Sequence, residues 1–351
     1  MLGAAPGSET KPVRVAIAGA CYFAAFHYDG WVRIPDVALV GCADIAPQKA
    51  EAIARRFDVP TAFADVARML DDTEPDILDI ATPPQTHSAT IELAAARGID
   101  VICQKPFCTS FDEARIATKR ATDAGIRVIV HENFRFQPWY RKIKSLIAQD
   151  ALGDVYQAMF RLRPGDGQGA NAYLERQPYF QTMPRFLIHE TGVHLIDVFR
   201  FLFGDVERVF ADLRRLNPVI KGEDAGLMIL AMKNGIRCVF DGNRLVDHAA
   251  NNRRLTLGEL TIEGSKSTLR LNGDGEIYLR NTDTNAERKL SFQWRNDGFG
   301  GDCVYELQSA VIRARKTGGP YENEARDYLA NLAVENAAYV SNETGRMVEM
   351  T

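Results

Sequence analysis

The chain has 351 residues, enough for two domains of ordinary size, and 46% of them are hydrophobic, which suits a buried core. A net charge of −4 excludes the strongly basic surface that nucleic acid or an anionic membrane would select.

The first third alternates strand and helix. Val13 to Ala18 reads as a buried strand, followed by a turn and an apolar segment towards Trp31. Val37 to Asp44 is a second strand, and Lys49 to Phe57 a helix with Pro60 beyond its end. Asp76 to Ala81 is a strand closed by Pro83-Pro84, and Ser88 to Arg97 a helix stopped by Gly98. Asp100 to Gln104 is a strand, Phe111 to Ala124 a helix ended by Gly125, and Ile126 to Val130 the last strand of the set. Strands and helices alternating in this way predict a parallel sheet with helices on both faces.

Beyond a helix over Tyr140 to Ala148 the pattern changes. Val155–Arg163, Val206–Leu216, Leu227–Met232, Arg237–Phe240, Leu255–Glu263 and Thr268–Leu271 carry strand character, with hairpin turns at Asn234-Gly235 and Asn272-Gly273. One helix, Arg185 to Phe203, interrupts them, and Asn323 to Ser341 closes the chain as a helix. The expected fold class is α/β: a dinucleotide-binding domain over residues 1–131, then an α+β domain with a mostly antiparallel open sheet over 132–351.

The six cysteines, at 21, 42, 103, 108, 238 and 303, form no Cys-x-x-Cys pair. This argues against a zinc knuckle or a disulfide framework and for a reducing cytoplasm. Met1 to Lys11 lacks the apolar stretch of a signal peptide, and no stretch reaches the ~18 apolar residues of a membrane helix.

Gly19-Ala20-Cys21-Tyr22-Phe23-Ala24 follows the first strand. It matches the dinucleotide fingerprint G-x-G-x-x-G/A at Gly19 and Ala24, with Cys21 in place of the middle glycine. Asp44 ends the second strand twenty residues after Ala24. An acidic residue there binds the adenosine ribose hydroxyls and repels a 2′-phosphate, which favours NAD over NADP. The alternative is a tight turn beside an ordinary surface aspartate.

Lys105 stands at the end of a strand, on the carboxyl edge where doubly wound sheets bind ligands. A lysine there, pressed by apolar neighbours, can have a lowered pKa and stabilise an alkoxide. Glu190, His194 and Asp197 are spaced i, i+4, i+7 and so share a face of the expected helix. A carboxylate one turn before a histidine orients its ring and raises its basicity. The alternatives are a surface lysine and a helix ion pair. Zinc is not expected: His-Glu-x-x-His would need histidine at Val193, and His189 and His194 point about 140° apart on a helix. Gly192 costs the helix about 1 kcal/mol relative to alanine, which suggests room for something packed close. The loop Gly165-Asp166-Gly167-Gln168-Gly169, leading to Tyr173 and Arg176, offers donors and acceptors to a polyhydroxylated ligand.

These residues resemble the Gfo/Idh/MocA family of NAD(P)-dependent sugar and polyol oxidoreductases. The likeness rests on the turn Gly19 to Ala24 with His27, on Thr82-Pro83-Pro84-x-x-His87 and on Lys105-Pro106. It also rests on Glu132-Asn133-x-Arg135-Phe136 and on Glu190-x-Gly192-x-His194-x-x-Asp197. The resemblance implies catalytic roles for Lys105, Glu190 and His194. It implies NAD contacts for Gly19, Cys21, Tyr22, Phe23, Asp44, Thr82, Pro83, His87, Gln104, Lys105 and Asn133. Substrate contacts are implied for Lys105, Arg163, Tyr173, Glu190 and His194, and sheets paired between subunits as a homodimer or homotetramer. Gln104 replaces the family's usual Glu, and Glu190 its usual Asp. Gln104-Lys105-Pro106-Phe107, His131 to Arg135, Arg185 to Ile188 and Asn217 to Asp224 look most like the family's D-apiose dehydrogenase branch. The expectation is an NAD-dependent dehydrogenase of a sugar, polyol or sugar acid. Its rivals are a glycosidase of the same fold that uses NAD transiently, an NAD-sensing regulator, and a reductase working in reverse.

Overall fold

The computed structural model describes residues 11–350. The expected lack of a signal peptide falls almost wholly on Met1 to Thr10, outside the described residues. The chain divides into two compact units. One runs to His131 and regains Gln308–Glu324; the other holds Glu132–Leu307 and Ala325–Thr351. The chain first crosses between the units at His131–Glu132, and the return of 308–324 left no mark in the residue pattern.

The first unit begins β1 (Val13–Ala18), α1 (Ala24–Val32), β2 (Val37–Ala43), α2 (Pro47–Phe57), β3 (Ala62–Phe63) and α3 (Val66–Thr73). It continues β4 (Ile77–Ile80), α4 (His87–Ala95), β5 (Asp100–Gln104), α5 (Phe111–Asp123) and β6 (Val128–His131). The six strands pair in parallel in the order β3-β2-β1-β4-β5-β6, the doubly wound dinucleotide-binding arrangement. Local chemistry sets the helix ends. Ser110 accepts a hydrogen bond from the Glu113 N–H at the start of α5, and Asp112 and Glu113 favour its positive end. Ala114, Ala117 and Ala121 form its buried stripe, and Gly125 takes the left-handed conformation just after it. Asp65 caps α3 by accepting the Arg68 N–H. Neither α3 nor β3 was expected: eight and two residues are too short to show a period.

The second unit begins with a short 3-10 turn (Phe134–Phe136) and α6 (Pro138–Ala148). Then come β7 (Val155–Leu162), α7 (Val193–Phe203), β8 (Val206–Arg214), β9 (Ala225–Met232), β10 (Arg237–Asn243) and β11 (Gly258–Gly264). After these follow β12 (Ser267–Leu271), β13 (Ile277–Asn281), β14 (Glu287–Leu290), α8 (Cys303–Thr317), α9 (Ala325–Thr344) and β15 (Val348–Glu349). Its sheet runs β14-β13-β12-β11-β7-β10-β9-β8-β15. Among the described residues its only parallel neighbours are β7 and β10, so the expected antiparallel character holds with one exception. The inner face, with Ala211, Met228, Phe240, Phe160 and Leu260, joins α6, α7 and α9 in one core. Gly235 is left-handed in the β9–β10 hairpin as Asn-Gly predicts, but in the β12–β13 turn the left-handed residue is Gly275, not Gly273.

The expected helix Arg185–Phe203 is two structures: a π-helical turn over Leu187–Gly192, then α7. The π turn holds only six residues, too few for the sequence to reveal a change of pitch. Glu223 braces the start of the turn. Its Oε1 accepts the Phe186 and Ile188 N–H groups and the Tyr339 hydroxyl.

Candidate active site

In the first unit the site grows from the end of β1. Gly19 has φ of 112°, and a Cβ there would lie 2.6 Å from the Ala81 carbonyl oxygen, so only glycine fits. The turn it starts leads into α1, whose N-terminal N–H groups receive no side-chain cap. Such a helix end, behind a turn at the β1/β4 switch point, suits a pyrophosphate. Cys21 is exposed, and its thiol donates to Ala81 O at 3.4 Å. Asp44 accepts Ala20 N–H and Ala46 N–H at 2.9 Å each, so it knits the turn to the end of β2. The residues present fit NAD.

Thr82 and Pro83 lead out of β4, and Thr82 O pairs with His87 Nε2 at 2.9 Å. Burial pushes the His87 imidazole pKa down, so the ring stays neutral. Tyr22 and Phe23 meet Phe26 at ring-centroid distances of 5.8 and 5.3 Å, and Phe23 also edges onto His27.

Lys105 follows β5, half-buried, with a cis bond to Pro106. Its N–H donates to Gln104 Oε1 at 2.6 Å, and Gln104 Nε2 lies 3.1 Å from His27 Nε2. His27 Nδ1 meets Asp79 at 2.9 Å, and Trp31 Nε1 donates to the same carboxylate at 2.7 Å. Burial opposes the Asp79 charge, but His27, His131 and Trp31 more than offset it and hold the carboxyl below its usual range.

In the second unit α7 carries His194, 6% exposed. Its Nδ1 lies 2.5 Å from Glu132 Oε1, and its ring stacks on Phe134 at 3.9 Å. Glu132 is fully buried and also accepts the Phe134 N–H and, at 3.3 Å, the Tyr328 hydroxyl. A carboxylate on Nδ1 selects the Nδ1–H tautomer and makes Nε2 the accepting nitrogen. Asp197, one turn on, takes two hydrogen bonds from Arg135 at 2.8 and 2.5 Å and one from Asn331. Arg135 thereby ties the turn behind Glu132 to the helix behind His194.

The expectation from the sequence is that Glu190 orients this ring. Glu190 sits half-buried in the π turn. The carboxylate on the ring is Glu132, 62 positions earlier. Its only sequence signal was its place in the Glu132-Asn133 motif, where no role had been assigned to it. Gly192 likewise makes room for Ile188 of its own turn: a Cβ would meet that side chain at 3.1 Å.

Asn133 is buried at the start of the 3-10 turn. Arg163, just past β7, is held by the Asp241 carboxylate and carbonyl at 2.5 and 2.6 Å. Tyr173 is buried against Phe180 and Phe186 with its hydroxyl on Arg244. Arg244 belongs to the polar cluster Asp241-Gly242-Asn243-Arg244, which the sequence leaves open between the site and a subunit interface. Its guanidinium is buried, holds Asp166 of the glycine-rich loop, and donates to Thr191 Oγ1 of the π turn at 2.8 Å. That loop is therefore anchored to the turn carrying Glu190.

A family model described as an oxidoreductase family with NAD-binding Rossmann fold matches residues 13–132, and a GFO/IDH/MocA C-terminal domain model matches 140–270. The chain is 30% identical to a D-apiose dehydrogenase of Paraburkholderia graminis over 98% of its own length and 91% of the relative's. It is 29% identical to one of Rhizobium rhizogenes, over 95% and 96%. An oxidoreductase from Agrobacterium radiobacter, solved with NAD+, L-tartaric acid and magnesium, superposes with a TM-score of 0.88 at 27% identity. That match covers 97% of this chain and 98% of the other.

Proposed function

This chain belongs to the Gfo/Idh/MocA oxidoreductase family, with its NAD-binding Rossmann fold, and on that premise we propose that it oxidises a hydroxyl of D-apiose or a closely related sugar. The observation that carries the chemistry is the buried Glu132–His194 pair. It supplies a neutral imidazole whose Nε2 takes the hydroxyl proton, as general-base catalysis requires. The Lys105 ammonium stabilises the alkoxide. NAD, when bound, supplies the hydride acceptor. Gly19, Cys21 and the start of α1 hold its pyrophosphate, and Asp44 its ribose. Ile45, Ala46 and Pro47 follow Asp44 and offer a 2′-phosphate no cation, which supports the preference for NAD. Glu190 and the Asp166 loop are assigned to the substrate's other hydroxyls.

Two further readings go with this one. The chain resides in a cytoplasm, as its free and mostly buried thiols suit. It assembles as a homodimer or homotetramer through the outer face of the second sheet. Phe210, Ile229, Val239 and Met159 lie side by side across β8, β9, β10 and β7. Charged Arg208, Arg237, Asp212 and Arg161 flank that row. An apolar row between charged ones suits self-association.

The test is a screen of free sugars and polyols with NAD and with NADP, reading the absorbance of the reduced cofactor. Net NADH formed with D-apiose is the expected result. Cleavage of a glycoside without net NADH would overturn the dehydrogenase reading.

A further inference from the structure

Lys105 is held by a chain of hydrogen bonds that runs into the core and whose polarity can be read from one end. The Lys105 main-chain N–H is a donor and nothing else, and it points at the Gln104 side chain from 2.6 Å. The amide atom facing it is therefore the oxygen. That turns the Gln104 NH2 towards His27, 3.1 Å from Nε2. An NH2 group only donates, so Nε2 must accept and carry no proton. The ring proton then sits on Nδ1, where the Asp79 carboxylate takes it at 2.9 Å. Trp31 steadies that carboxylate, and the Gln308 amide donates to the His27 carbonyl at 3.1 Å. His27 and Asp79 are both fully buried. Asp79 stands in the central strand β4, where an ionised residue persists only when fully paired.

We propose that Asp79, His27 and Gln104 are positioning residues for Lys105, with His27 locked as the neutral Nδ1–H tautomer because residue 104 is a glutamine. A carboxylate at 104 could not donate to Nε2 and would require a proton on it. The side chain at 104 therefore decides the charge of a buried imidazole two hydrogen bonds from Lys105. The link to turnover rests on the role proposed above for Lys105; the tautomer does not.

The ring is read by 15N NMR of the full chain at neutral pH. The wild-type protein is expected to show His27 Nδ1 protonated and Nε2 bare, and Gln104→Glu to show both nitrogens protonated. A protonated Nε2 in the wild type, or a ring unmoved by Gln104→Glu, overturns the proposal. Turnover is read in two further variants. His27→Asn keeps a donor for Asp79 but loses the acceptor for Gln104; His27→Gln restores an acceptor at the reach of Nε2. His27→Asn should lower kcat about three- to tenfold, the worth of one hydrogen bond, with KM unchanged, and His27→Gln should recover most of it. A loss confined to KM, or no difference between the two, contradicts positioning of Lys105. Gln104→Leu, at a half-buried site, repeats the kcat test if the His27 variants fold poorly. The NMR arm needs no turnover, so it separates failure of the relay from failure of the catalytic reading.

Discussion

The two units each bury a histidine against a carboxylate, and they use the pair differently. In the first, His27 Nδ1 meets Asp79 and Nε2 is committed to Gln104. In the second, His194 Nδ1 meets Glu132 at 2.5 Å, and the same tautomer makes Nε2 the accepting nitrogen, to which the proposed function assigns the substrate's proton. Both carboxylates are fully buried. The chemistry of the pair is thus not what makes a base; the group opposite the second nitrogen is. A histidine–carboxylate pair becomes catalytic when the fold points its accepting nitrogen at a ligand, and structural when it points it at an amide.

The contrast breaks most sharply at the second histidine. His194→Ala should lower kcat by roughly 10²- to 10⁴-fold, the usual contribution of a positioned base, with NAD affinity little changed. Near-normal turnover would make both pairs structural. Lys105→Met, which deletes the charge and keeps the stem, should cost about 3–4 kcal/mol in transition-state stabilisation, as for one oxyanion donor. It should leave the His27 ring signals in place. A loss limited to cofactor binding would move Lys105 out of the chemical step.

The smallest effect is on stability in the first unit. Asp79→Asn leaves a buried donor short of an acceptor and should cost about 1–3 kcal/mol at neutral pH, read by urea unfolding. The sign of its pH dependence follows from the depressed Asp79 pKa. Its contribution is present above the unfolded value near 3.9 and is lost as pH falls through the lower folded value. The wild type should therefore weaken below about pH 4, and Asp79→Asn should weaken less over that window. Parallel curves would show that Asp79 is not held ionised by its partners.

The first unit was far more legible in the sequence than the second. Its strands are short apolar runs at regular spacing, and Gly19, Asp44 and Lys105 sit at strand ends, where position in the chain nearly fixes position in space. His27 and Asp79 could have been singled out by one signal: an aspartate inside a buried parallel strand needs a partner. The second site depends on pairings across long separations. Glu132 and His194 lie 62 residues apart, and Arg244 reaches Thr191 across 53. The π turn was hidden because helical periodicity assumes 3.6 residues per turn, and a single turn of six residues is too short to contradict it. The amphipathic α8 and the two-residue β15 were not anticipated either.

The central claim is that Glu132, not Glu190, sets the tautomer of His194. The direct measurement is kcat for Glu132→Gln beside Glu190→Gln, both with saturating NAD and sugar. An amide at 132 can offer its NH2 to Nδ1 and turn the ring, so Glu132→Gln should lose roughly 10²-fold or more in kcat with KM nearly unchanged. Glu190→Gln should act mainly on KM for the sugar. The opposite order, with Glu190→Gln collapsing kcat and Glu132→Gln close to wild type, would contradict the account.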